Sequence, residues 1–259
     1  QVLVALLEMS ELVERLRKEV APALAKSHLW EQVEHYAIVF VEAIRGRPSG
    51  DEVLRRADLA RLLLGETTVR ELSPAERQDV TQHHFSYGMD DLVVIDWNAA
   101  FVYEPSGSQD IPDILEIANA QLLELRYYDD ALDKSLARVN QRLKRERQRV
   151  GSIFRSPYPA LSRQVLVALL EMSELVERVE NSLKIIGDFY LARVYEGAVE
   201  QLRIPAWKET VTRKQEILSD VYGWLKGEVD TARSLTLEVM IVLLIVIELL
   251  VAASSVIRH

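Results

Sequence analysis

Apolar positions along the chain fall into two regimes: short runs between 34 and 104, and steps of three and four beyond 110. EHYAIVFVEAIRG (34–46) is rich in β-branched and aromatic residues and predicts a strand ending at Gly46. DEVLRRADLARLLLGE (51–66) has helical spacing, with Gly65 as a stop. In SPAERQDV (73–80), Ser73 precedes Pro74 and Glu76 stands three positions on, the signature of a helix cap. HHFSYGMDDLVVIDWNAAFVYEP (83–105) alternates apolar stretches with turn residues. It predicts three strands, with DWN (96–98) as a tight hairpin turn.

Beyond residue 110, Ile111, Leu115, Ala118, Leu122, Leu125, Asp129, Leu132, Leu136, Val139 and Leu143 form a heptad seam. VGSIFRSPYP (150–159) breaks it. A second seam runs through Val165, Leu169, Met172, Val176, Val179, Leu183, Ile186 and Tyr190. RIPAW (203–207) breaks the chain again, and a third helix runs from about 206 into IVLLIVIELL (241–250). The pattern predicts an α+β protein: an N-terminal mixed domain with an antiparallel sheet, then a long antiparallel helical hairpin and a third long helix with a hydrophobic end. The expected segments are a helical 1–33, an α+β domain at 34–109, a long-helix domain at 110–234 and an apolar helix at 235–257.

QVLVALLEMSELVER occurs at 1–15 and again, unchanged, at 164–178. Solenoid repeats are longer and diverged, so this is a recent copying event or an artefact of sequence assembly. Either way both copies want one hydrophobic groove, and helix 1–17 is expected to dock where a partner's 164–178 would pack.

Asp129 takes a seam position that should be apolar, and an unpaired carboxylate there would cost several kcal/mol. Folding the helices back around 153–154 brings Arg178 opposite, so an Asp129–Arg178 pair is the structural expectation. The functional alternative groups Glu116, Glu124, Tyr127, Tyr128, Asp129 and Asp130 as a polar site. No Glu-x-x-His spacing accompanies them, so no metal is expected. His83–His84 beside Asp90–Asp91 falls short too, because adjacent strand residues face opposite ways. The basic tip, with Arg142, Lys144, Arg145, Arg147 and Arg149, complements the helix dipole; a contact with lipid headgroups or RNA is its other reading.

Between Val239 and Ile257 the only charge is Glu248, and thirteen of these nineteen residues are Leu, Ile or Val. Nineteen residues make about 28 Å of helix. Their summed transfer free energy outweighs the cost of about 3 kcal/mol for one central acid. A transmembrane helix is therefore expected, with Ile241, Leu244, Glu248, Ala252 and Ser255 on one helix-packing face. The competing expectation is a buried helix in an oligomer.

The net charge of −9 disfavours non-specific nucleic-acid binding. With no cysteine, disulfides and thiol metal sites are excluded. No Gly-rich phosphate loop and no nucleophile–base signature is present, and no cofactor is expected.

HFSYGMDDLVVIDWNAAFVYEP (84–105), DILEIANAQLLELRYYDDALDKSL (113–136), ERVENSLKIIGDFYLARVYE (177–196) and the IVLLIVIELL stretch together resemble the required-for-meiotic-nuclear-division family, also called YagE-like or sporulation-related. That resemblance implies a non-catalytic, membrane-tethered scaffold or assembly factor of the kind that supports organelle translation. With no transit peptide in view, it implies a bacterial member at the inner membrane with its bulk in the cytoplasm, the organelle inner membrane being the alternative. Homo-oligomerisation through the C-terminal helix is expected, with protein partners unknown. The alternatives are an enzyme with a carboxylate–tyrosine site between hairpin and sheet domain, and an RNA-contacting factor using 142–149.

Overall fold

The computed structural model describes residues 2–23, 30, 32–66, 71–147, 158–182 and 187–257; within these, the side chains of 2–10, 146–147, 171–182 and 251–257 lie outside the description. It divides into two compact units, 1–33 and 34–259. The first holds helix α1 (Val2–Val20) and a short 3-10 turn at Ala21–Ala23. Arg17 there donates to the Trp30 carbonyl. The surface shared by the copies 1–15 and 164–178 lies largely outside the described side chains.

The second unit is α+β. Its described strands are β1 (Ala37–Val41), β2 (His84–Phe85), β3 (Leu92–Ile95) and β4 (Ala99–Tyr103), in the order β1-β4-β3-β2. β2–β3 and β3–β4 are antiparallel, as the two expected turns require, whereas β1 pairs with β4 in parallel, Ala37 opposite Ala99. The sheet is thus mixed. Every residue of β3 and β4 is buried. Such strands read as continuous apolar runs, because both faces are covered.

One face, with Leu92, Val94, Ala99 and Phe101, packs on the short helices α2 (Gly50–Arg56), α3 (Leu59–Leu63) and α4 (Pro74–Val80). Ser49 and Glu52 form a capping box on α2, and Ser73 Oγ accepts from Glu76 N to cap α4. The expected single helix over 51–66 is two, because Asp58 starts α3 after an extended Ala57.

The other face, with Val93, Ile95, Ala100 and Val102, packs on α5 (Asp110–Arg147), α6 (Pro159–Ser182), α7 (Phe189–Gln201) and α8 (Ile204–Ile257). Of the first seam, Ile111, Leu115, Ala118, Leu122, Leu125, Leu132 and Val139 are buried. The second seam does not run unbroken to Tyr190: Asp188 caps a new helix, accepting from Tyr190 N at 2.7 Å and Leu191 N at 3.0 Å.

α8 buries Ile204, Val211, Leu218 and Leu225 at intervals of seven, against α5 and α6. Lys214 lies on the same side of α8, three residues after Val211. Its Nζ stands 2.7 Å from Asp129 and 2.7 Å from Asp133, so the acid in the α5 seam is paired across to α8. Arg178, its expected partner, lies outside the described side chains. Burial pulls the Lys214 ammonium down, the hydrogen bonds to Asp129 and Asp133 more than offset this, and the net shift is upward.

Lys214→Met leaves Asp129 uncompensated and is expected to lower stability by roughly 1–3 kcal/mol. The double variant Asp129→Leu/Lys214→Leu is expected to recover most of that. A raised lysine pKa stabilises fully below the unfolded value of about 10.4 and is lost as pH climbs through the higher folded value. Denaturation midpoints of wild type and Lys214→Met should therefore differ constantly at neutral pH and converge only in strong alkali.

Candidate functional site

The turn between β3 and β4 places Asp96, Trp97 and Asn98 at one end of the sheet. The Asp96 amide donates to the Ala99 carbonyl at 2.8 Å, closing the turn. Tyr36, just before β1, donates its hydroxyl to the Asp96 carbonyl at 3.0 Å and lies 3.1 Å from the Ala99 carbonyl. Burial first, and then the Asp96 charge, push the Tyr36 phenol far up, so it stays a neutral donor.

Asp96 is 3 % exposed, while Trp97 beside it is 62 % exposed. Gln201, at the end of α7, donates Nε2 to Asp96 Oδ1 at 3.0 Å; Oδ2 has no hydrogen-bond partner among the described residues. The two sit in a cleft of about 660 Å³. Its walls are Glu34, Asp79, His83, Leu122, Arg126, Glu200, Leu202, Arg203 and Trp207. Arg126 pairs with Glu34, and its guanidinium lies 5.8 Å over the Trp207 ring. Arg203 joins α7 to α8 at φ +54°, a left-handed position where glycine is usual.

The residues singled out from sequence do not form one site. Glu116 and Glu124 face outward on α5, and Tyr128 is 5 % exposed within the core. Tyr127 packs edge-on against Tyr128 at 5.4 Å, and Asp130 pairs with Lys134 at 2.6 Å. Arg142, Lys144 and Arg145 are exposed near the end of α5; the side chains of Arg147 and Arg149 lie outside the description.

His83 lies in the cleft wall, whereas His84 faces Thr81, its Nδ1 2.8 Å from that carbonyl. Asp91 instead holds its own loop: it accepts from Tyr87 N, Gly88 N and the Tyr190 hydroxyl. Among the described residues no three His, Asp or Glu side chains converge as a metal site would require.

The cleft was not foreseen. Its polar residues come one or two at a time from the approach to β1, α4 and the link after it, the β3–β4 turn, α5, α7, the α7–α8 link and α8. The one local signal was a charged residue and a tryptophan together in a two-strand turn.

The expected transmembrane helix is corrected. Among the described residues, no helix is long and apolar enough to cross a membrane. The described apolar part of α8 runs from Val239 to Leu250 with Glu248 inside it. Membrane attachment through this helix, and with it the bacterial or organelle inner membrane, loses its support. Glu248 is exposed; the side chains of Ala252 and Ser255 lie outside the description.

The second unit is thus an α+β fold with an acidic cleft at one end of its sheet and exposed apolar residues at 239–250 of α8. The proteins it resembles are themselves uncharacterized. A family model described as "Uncharacterized protein MJ0711, N-terminal domain" matches residues 4–110. Uncharacterized protein MJ0711 of Methanocaldococcus jannaschii is 24 % identical over 253 residues, 97 % of this chain and 76 % of that protein. No solved structure matches the chain. Nothing in these matches points to the required-for-meiotic-nuclear-division family or to a bacterial origin, and that resemblance is withdrawn. The blocks that carried it are apolar strands and heptads, which recur wherever a small sheet meets long helices.

Tyr36→Phe removes the donor that fastens the 96–99 turn and is expected to cost about 1–2 kcal/mol, read as a lower denaturation midpoint. The Trp97 emission should shift with it, since that ring rides on the turn.

Proposed function

We propose that the protein is a non-catalytic assembly factor that associates with further copies of itself through the end of α8. The observation behind this is the uncovered apolar surface there. Val229 is the last described buried residue of α8. Beyond it, Val239 to Ile247, Leu249 and Leu250 are each 41–65 % exposed and surround the helix.

Eleven such side chains present on the order of 1,000 Å² of apolar surface, more than the roughly 800 Å² that each partner buries in a standard interface. A second copy supplies the same surface in return, which is how isologous contacts form. Because the apolar residues lie all round, one neighbour covers only part of them. A bundle of several copies fits better than a two-helix pair.

Light scattering on the full chain and on residues 1–234 tests this. The full chain should have the mass of an oligomer, and the shortened chain that of a monomer with an unchanged thermal transition for the sheet unit. Leu244→Glu, at an exposed position, should loosen the oligomer without unfolding it. A full chain that is monomeric, or one that floats with phosphatidylcholine vesicles instead of self-associating, overturns the reading.

A further inference from the structure

The carboxylate of Asp96 is a charge half provided for. It is 3 % exposed, one oxygen is held by Gln201, and the other has no donor among the described residues. A buried anion left this way is costly unless something positive comes to it.

The surroundings favour a cation. Asp79 and Glu200 add negative charge to the walls, while Arg126 is already committed to Glu34, which leaves Arg203 as the one opposing cation among the lining residues. Trp97 and Trp207 supply aromatic surface. The chain also shows a guanidinium being accepted here: Arg126 sits between the Glu34 carboxylate and the Trp207 ring. A metal ion suits the cleft poorly, since among the described residues no three carboxylate or imidazole groups converge. The volume of about 660 Å³ is of the size that holds a small molecule.

We infer that this cleft binds a small organic cation with a primary ammonium group, the ammonium on Asp96 and the carbon chain against Trp97 and Leu122. Arg203, an exposed lining residue held in a left-handed backbone, opposes a bound cation by repulsion.

Calorimetric titration of the full chain with 1,4-diaminobutane tests the assignment, with 1,4-butanediol as the neutral match. The diamine should bind saturably and the diol should not. Asp96→Asn should weaken binding by about tenfold or more while the thermal transition persists. Arg203→Gly relieves the backbone and removes the like charge, so it should tighten binding roughly threefold, which a merely structural role for Arg203 would not do.

Equal binding of diamine and diol overturns the inference. So does wild-type affinity in a folded Asp96→Asn chain, or no binding by the folded wild type at about 10 mM diamine. A lysine-bearing peptide that outcompetes the diamine moves the same chemistry to a partner's side chain and overturns the small-molecule assignment. None of these outcomes depends on the oligomeric state of α8.

Discussion

The β3–β4 pair is dry on both faces, and everything else in the second unit is arranged to keep it so. Leu92, Val94 and Phe101 on one side and Val93, Ile95 and Val102 on the other would each expose apolar surface if either layer were lost. Three short helices suffice for the first face. The second takes α5, α7 and α8, whose own seam must then be closed along its length, and charges enter that seam too. Among the described residues Asp91 and Asp96 are buried more deeply, but it is Lys214 between Asp129 and Asp133 that fixes which turn of α8 meets which turn of α5. Ion pairs of this kind are better at fixing register than at adding stability.

Register at that seam carries into the cleft. Arg126 and Trp207 meet three residues before Asp129 on α5 and seven before Lys214 on α8, so a slip of α8 by one turn would separate them and open the cleft wall they form. At the other end α8 continues past its last packed residue with no described cover. The same helix is therefore a core element, a cleft wall and an uncovered surface in turn, and its sequence changes character accordingly: a buried aliphatic residue every seventh position from Ile204 to Leu225, then nearly unbroken Val, Ile and Leu from 239.

The parts of this arrangement that rest on local pattern were legible in the sequence. The 96–98 turn, the Ser73 cap and the α5 seam each declare themselves within a few residues, because turn chemistry, capping and heptads are short-range physics. What rests on distant pairing was not. The parallel partner of β1 lies beyond three helices, and no local feature says parallel. The partner of Asp129 was sought on the neighbouring helix of the hairpin, although 204, 211, 218 and 225 already trace a seam on α8 with Lys214 beside it. The cleft escaped because each element lends it only one or two groups, and because a left-handed Arg203 leaves no mark in the amino-acid order.

Tyr36 reaches sixty residues along the chain to grip the turn that carries Trp97. Closing so long a loop is slow compared with forming a hairpin or extending a helix. The helices are built from local contacts, whereas the grip on the 96–99 turn depends on a residue far back in the chain, so helical dichroism does not report whether that turn is fastened. The Trp97 ring, which rides on that turn, is the reporter that helix content is not.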